Sequence, residues 1–189
     1  MSDAFVRSLD ALMQGGVCVI PTDTVYGLVA RALDEVAVRK LYALKPRELS
    51  PGTIIAADIE QLAALGFELQ HLERVEQFWP GAVSVVLPAP GVPAYLKGKR
   101  TDLAVRLPGV AELHNLLEKT GPLMTTSANT PKAPTAQTID EARMYFGEQV
   151  DYYADAGDLG ERPPSTIIQV DDSGEIILLR AGAVNIESA

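Results

Sequence analysis

Thr22, Asp23 and Thr24 interrupt the apolar stretch VCVIPTDTVYGLVA (17–30), and similar punctuation returns along the chain. Arg106 closes DLAVR, Thr125, Thr126, Ser127 and Asn129 fall in LMTTSAN, Ser165 and Thr166 precede IIQV, and Arg180 closes EIILLR. Hydroxyls and amides at strand ends orient a ligand through hydrogen bonds, and such ends surround the binding crevice of open α/β sheets. Any one alone is a turn or edge hydroxyl serving its own backbone, so their recurrence carries the signal. Lys45, Arg47, Arg106 and Arg180 place four cations beside these positions in a chain of formal net charge −9. Guanidinium holds phosphate or carboxylate through paired hydrogen bonds and lysine adds a compact charge, so the set suits an anionic ligand.

Other chemistries find little support. The sequence has no GxGxxG, GxxxxGK[ST] or HExxH motif and no Cys/His cluster. His71 and His114 fall within amphipathic helical patterns, which leaves a Ser-His-acid hydrolase without a persuasive base. No permanent protein metal site is expected, and magnesium arriving with a triphosphate needs few protein ligands. Cys18, the single cysteine, sits among Val17, Val19 and Ile20 and reads as an inert core thiol, in keeping with a reducing cytoplasm. The acidic balance disfavours sequence-independent binding to nucleic acid or anionic membrane over the whole surface. No apolar run reaches a membrane span, and the N-terminus lacks a signal-peptide pattern, so an unexported cytoplasmic protein is expected.

The elements that must position these residues alternate between helix and strand. In 189 residues, 47% hydrophobic, one α/β domain over 1–189 is expected, with no repeat, and the linker AGDLGERPPS reads as an internal feature rather than a domain boundary. Helical spacing runs from Ala4 to Gln14, where Gly15-Gly16 ends it before a strand at Val17. Asp34 is a candidate N-cap for a helix through Leu44, with Val36, Ala37, Leu41 and Leu44 inward, so Lys45 and Arg47 lie where it runs out. Strands are expected at Thr53–Ala57, Val83–Leu87, Leu103–Leu107 and Leu123–Ser127, then in DYYAD, STIIQV and EIILLR. Helices are expected after Asp58, at His71–Phe78, Val110–Thr120 and Ile139–Phe146. The long loop SANTPKAPT suggests a mobile lid. For residues 17–30, the purely structural reading is a strand-turn-strand hairpin with a locally bonded Thr22.

Seven segments, IPTDTVYGL, LKPRELSPG, FWPGAVSVVLPA, LAVRLP, TTSAN, PSTIIQV and LLRAGAV, resemble in order the YrdC-like family of threonylcarbamoyl-AMP synthases, over about residues 9–184. The resemblance implies a twisted, open mixed sheet with flanking helices around a large concave cavity. It also implies an ATP-dependent nucleotidyltransferase joining L-threonine and bicarbonate to ATP as threonylcarbamoyl adenylate, with pyrophosphate released. The product would pass to downstream tRNA-modifying proteins. Carried over by motif, Lys45 and Arg47 match the catalytic K-x-R pair, while Thr125, Asn129 and Arg180 join them at the ATP site. Thr22, Arg106, Ser127 and Ser165 match the threonine and carbamate site. The chain departs from the family at Thr130-Pro131-Lys132, where Ser-Gly is usual, and at Pro51-Gly52, where Pro-Leu is usual. Those departures leave two alternatives: a noncatalytic RNA-binding module of the same fold, or a carbamoyl or adenylyl transferase acting on another amine.

Overall fold

The computed structural model describes residues 1–45, 51–171 and 173–186. Helix α1 (Asp3–Met13) leads into strands β1 (Cys18–Ile20) and β2 (Gly27–Arg31), then α2 (Glu35–Leu44) and β3 (Thr53–Ile55). Two short helices, α3 (Ile59–Ala64) and α4 (Leu69–Glu73), precede β4 (Val83–Pro88), α5 (Ala94–Lys97) and β5 (Asp102–Arg106). The remainder comprises α6 (Ala111–Thr120), β6 (Leu123–Ser127), α7 (Ile139–Phe146), β7 (Tyr152–Tyr153), β8 (Thr166–Val170) and β9 (Ile176–Arg180). Local capping explains several starts: Asp34, Asp58 and Thr138 each accept a hydrogen bond from the backbone N–H three residues on.

The strands form one nine-stranded sheet in the order β7-β1-β2-β6-β3-β5-β4-β8-β9. It is mixed: β1–β7, β3–β5 and β4–β8 pair parallel, and the other neighbours antiparallel. Alternate side chains serve two cores. Val17, Val19, Leu28, Ala30, Ile54 and Met124 join the core containing residues of α2, α3, α4 and α7. Cys18, Ile20, Val29, Ile55 and Leu123 join the core built with α1 and α6. Burial on both faces is why these strands read as continuous apolar runs. At the far edge, Ile176, Ile177, Leu178 and Leu179 of β9 stay exposed.

Two expectations need correction. Residues 71–78 are not one helix: α4 stops at Glu73 and a separate 3-10 turn spans Glu76–Phe78. Val75 buries its side chain at φ −119°, ψ 3°, and tertiary packing there overrides the helical pattern. In α2, Val36 faces solvent and Val38 takes the inward place beside Ala37 and Leu41. Among the described residues, no helix is long and apolar enough to cross a membrane.

Candidate active site on the open face of the sheet

On the face covered by α1 and α6, each central strand buries one residue under the helices and leaves another, two positions away, in the open. Val29, Ile55 and Leu123 are the covered set. Gly27, Thr53 and Thr125 are their in-phase partners and line a cavity of about 370 Å³. Register assembles the floor: Gly27 stands opposite Ser127, and Thr53 opposite both Thr125 and Ala104. Arg106 of β5, Ser165 just before β8, Ile167 of β8 and Arg180 of β9 add to the lining. Small side chains leave the space open. A Cβ at Gly27 would come within 2.9 Å of Thr125 Oγ1 and 3.2 Å of Thr22 Cγ2. At Gly52 it would overlap the Thr125 carbonyl oxygen, so the backbone approaches β6 this closely only without a side chain.

The β1–β2 turn forms one corner. Thr22 Oγ1 donates to Val25 O at 2.6 Å and accepts from the Thr24 and Val25 N–H groups, each at 3.2 Å. The hairpin with a locally bonded threonine is therefore present, yet the same residue lines the cavity. Arg106 is only 4% exposed and lies 3.3 Å from Asp23 in an ion pair, with a long 3.5 Å contact to Thr24 Oγ1. Among the described residues, both Asp23 oxygens and Arg106 Nε lack a hydrogen-bond partner. Burial pulls the Arg106 pKa below its ordinary value, and the Asp23 charge opposes that pull. A buried cation lining a cavity, with its Nε–H unpaired among the described residues, suits an incoming carboxylate or phosphate.

The second corner is saturated. Buried Lys45, at the C-terminal end of α2, donates to Ser127 O at 2.7 Å, Ser127 Oγ at 3.0 Å and Asn129 Oδ1 at 2.7 Å. Ser127 Oγ donates to Asn129 Oδ1 at 2.6 Å, and Asn129 Nδ2 donates to Ala133 O at 2.6 Å. Tyr145 Oη reaches Pro134 O, and Ala136 N–H bonds back to Ala128 O. The loop expected to be a loose lid is thus tied at several points, because its own side chains and α7 supply the partners.

The third corner joins β4, β8 and β9. Arg180 donates to Ser165 O at 3.2 and 2.7 Å and to Ser165 Oγ at 3.2 Å. Ser165 Oγ also lies 2.9 Å from Ser84 Oγ, which is fully buried. Gly182 admits the chain against Pro164 and Ser165, where a Cβ would overlap backbone.

Of the residues singled out by sequence, Thr22, Arg106, Thr125, Ser127, Ser165 and Arg180 line this one cavity. Lys45 and Asn129 support it through Ser127. Arg47 lies outside the described residues. Asp23, Ser84 and Gly27 were not assigned roles from sequence, although the in-phase small residues Gly27, Thr53, Ala104 and Thr125 were a readable signal. The described residues hold no cluster of three or more His, Cys, Asp or Glu able to bind a metal. Among the described residues, the lining of this cavity carries no carboxylate.

The geometry has close relatives. A threonylcarbamoyl-AMP synthase of Chromobacterium violaceum is 37% identical over 177 residues, covering 90% of each chain. One from Stutzerimonas stutzeri is 35% identical over 167 residues, covering 86% of this chain and 90% of that one. Sua5 of P. abyssi, solved in complex with L-threonine, superposes with a TM-score of 0.85 at 30% identity. That match takes in 97% of this chain but only 55% of the longer Sua5 chain. The Sua5/YciO/YrdC profile, described as “Telomere recombination”, matches residues 10–182 and therefore takes in the strands and loops that build the cavity: the chain belongs to the Sua5/YciO/YrdC family.

Proposed function

We propose that the chain is an L-threonylcarbamoyladenylate synthase. The threonine amine combines with bicarbonate to give a carbamate and water, and a carbamate oxygen attacks the α-phosphorus of ATP as pyrophosphate leaves. The reaction brings anions together and moves charge onto the departing oxygens, so it calls for positioning and fixed positive charge rather than a covalent nucleophile. The observation that carries this reading is the meeting of Arg106 from β5, Thr125 and Ser127 from β6, Ser165 just before β8 and Arg180 from β9 around one cavity. Relatives bearing the synthase name, and a neighbour solved with L-threonine, supply the substrate class.

In this reading Arg106, with Ser165 and Ser127, receives the carboxylate and carbamate end, and Thr22 shapes the wall beside it. Arg180, Thr125 and the Lys45–Asn129 corner face the nucleotide. Arg47 joins them on the family pattern alone. The buried Lys45 charge stabilises negative charge near Ser127 while holding that loop. An adenylate intermediate would pass to tRNA-modifying proteins in the cytoplasm.

Incubation with Mg-ATP, L-threonine and bicarbonate is expected to release pyrophosphate and yield threonylcarbamoyl adenylate by mass spectrometry. Pyrophosphate release that ignores threonine, or requires another amine, would overturn the substrate assignment. Salt-sensitive RNA binding without turnover would support the binding-module alternative instead.

A further inference from the structure

Ser84 lies in the interior of β4, fully buried, with no path to the cavity of its own. Among the described residues, the one partner of its hydroxyl is Ser165 Oγ at 2.9 Å. A serine hydroxyl has one proton to give and two lone pairs to receive with. Were Ser165 the donor, the Ser84 proton would remain unpaired in an apolar interior, an arrangement folded proteins avoid. Ser84 must therefore donate to Ser165 Oγ. That oxygen also receives an N–H of Arg180 at 3.2 Å, so both of its lone pairs are engaged. Its own proton is left to point elsewhere, and Ser165 lines the cavity.

From this proton inventory we propose that Ser84 is a positioning residue that makes Ser165 an obligatory hydrogen-bond donor toward an oxygen of the bound ligand. The partner it selects is an oxygen with a lone pair to offer, such as a carboxylate or carbamate oxygen, and a ligand ammonium there would meet a competing proton. The two neighbours have complementary tasks: Arg180 holds the Ser165 carbonyl and side chain in place, and Ser84 sets the sense of the hydroxyl. The inference deepens the synthase reading and rests on it for the identity of the ligand, but the direction of the Ser84–Ser165 bond is independent of substrate.

Neutron diffraction from deuterium-exchanged crystals of the free protein is expected to place the Ser84 deuterium on the line to Ser165 Oγ. A deuterium donated by Ser165 to Ser84 would overturn the proposal whatever the protein binds. In solution, Ser84→Ala is expected to raise the KM for L-threonine about tenfold, with kcat changed by less than about threefold and the KM for ATP unmoved. Ser165→Ala should act similarly, and the double variant should match Ser165→Ala alone, because Ser84 acts through Ser165. Additive losses in the double variant, or a Ser84→Ala protein whose only defect is thermal stability, would refute it. Wild-type protein that fails to bind threonine would end the threonine assignment while the deuterium map still decides the direction of the bond.

Discussion

Two corners of one cavity are built on opposite principles. Around Lys45, every donor-rich or acceptor-rich group meets a partner: Ser127 and Asn129 receive the ammonium, and Asn129 passes its own N–H to Ala133. Around Arg106, the guanidinium and the Asp23 carboxylate sit 3.3 Å apart, but among the described residues Nε and both carboxylate oxygens lack hydrogen bonds. A satisfied buried network is rigid and holds its shape without ligand. An under-satisfied one keeps interaction energy in reserve, which a ligand carboxylate can release by meeting the idle donors. On the proposed reading the first corner braces the nucleotide side of the cavity, and the second is where recognition of the ligand carboxylate would be concentrated.

The sharpest way to break this contrast is Arg106→Ala. It leaves Asp23 charged, buried and alone, so unfolding free energy should fall by about 3–5 kcal/mol and threonine-dependent turnover should be lost. Adding Asp23→Ala should restore much of the stability and none of the turnover. Chemical denaturation alongside pyrophosphate release separates the two effects. Recovery of turnover in the double variant would show that Arg106 does not contact the substrate.

Lys45→Ala tests the scaffold side. It removes three donated bonds from Ser127 and Asn129 at once, so stability should drop by about 2–3 kcal/mol, together with turnover. An unchanged denaturation midpoint with lost ATP affinity would make Lys45 a ligand contact first and a brace second, erasing the contrast. Gly27→Ala is milder. Its methyl group would crowd Thr125 and Thr22 on the floor shared by both corners, so substrate affinity should fall about tenfold while stability moves by less than about 1 kcal/mol. Equal affinity in titration calorimetry would mean that the ligand does not rest on that floor.

Much of this was legible in the sequence. Cap residues Asp34 and Asp58 lie where helices begin, and LMTTS and IDEARMYF coincide with β6 and α7. The residues at strand ends were readable too, since hydroxyls and cations punctuated apolar runs. Their mutual arrangement was not, because β6 inserts between β2 and β3, and pairing across such sequence distances leaves no local pattern. The same holds for Asp23 and Ser84. A carboxylate in a turn and a serine in a strand look ordinary until the fold sets one behind Arg106 and the other behind Ser165. The contacts of the loop after Asn129 were not legible either, because they come from Tyr145 and from backbone groups that composition does not reveal.

The contrast between corners assumes that this interior penalises a charge that has no partner, and Cys18 measures that penalty separately. It lies in the α1/α6 core, where burial, with a smaller contribution from Asp151, pushes its thiol from an ordinary value of 9.0 up to about 12. The folded protein therefore holds this proton more tightly than the unfolded chain does. Its contribution to stability is complete below about pH 9, declines as the unfolded thiol ionises, and is exhausted near pH 12. Relative to Cys18→Ala, the native protein should lose about 1 kcal/mol between about pH 8 and pH 10, read from urea denaturation at both values. Comparison with the alanine variant removes the background from other alkaline groups. Thiol reagents should also leave Cys18 unmodified in the folded state at neutral pH and react on unfolding, since only the accessible thiolate is nucleophilic. Parallel pH profiles for the two proteins would show that the core tolerates an isolated charge, and the bare Arg106–Asp23 corner would then need no ligand to explain it.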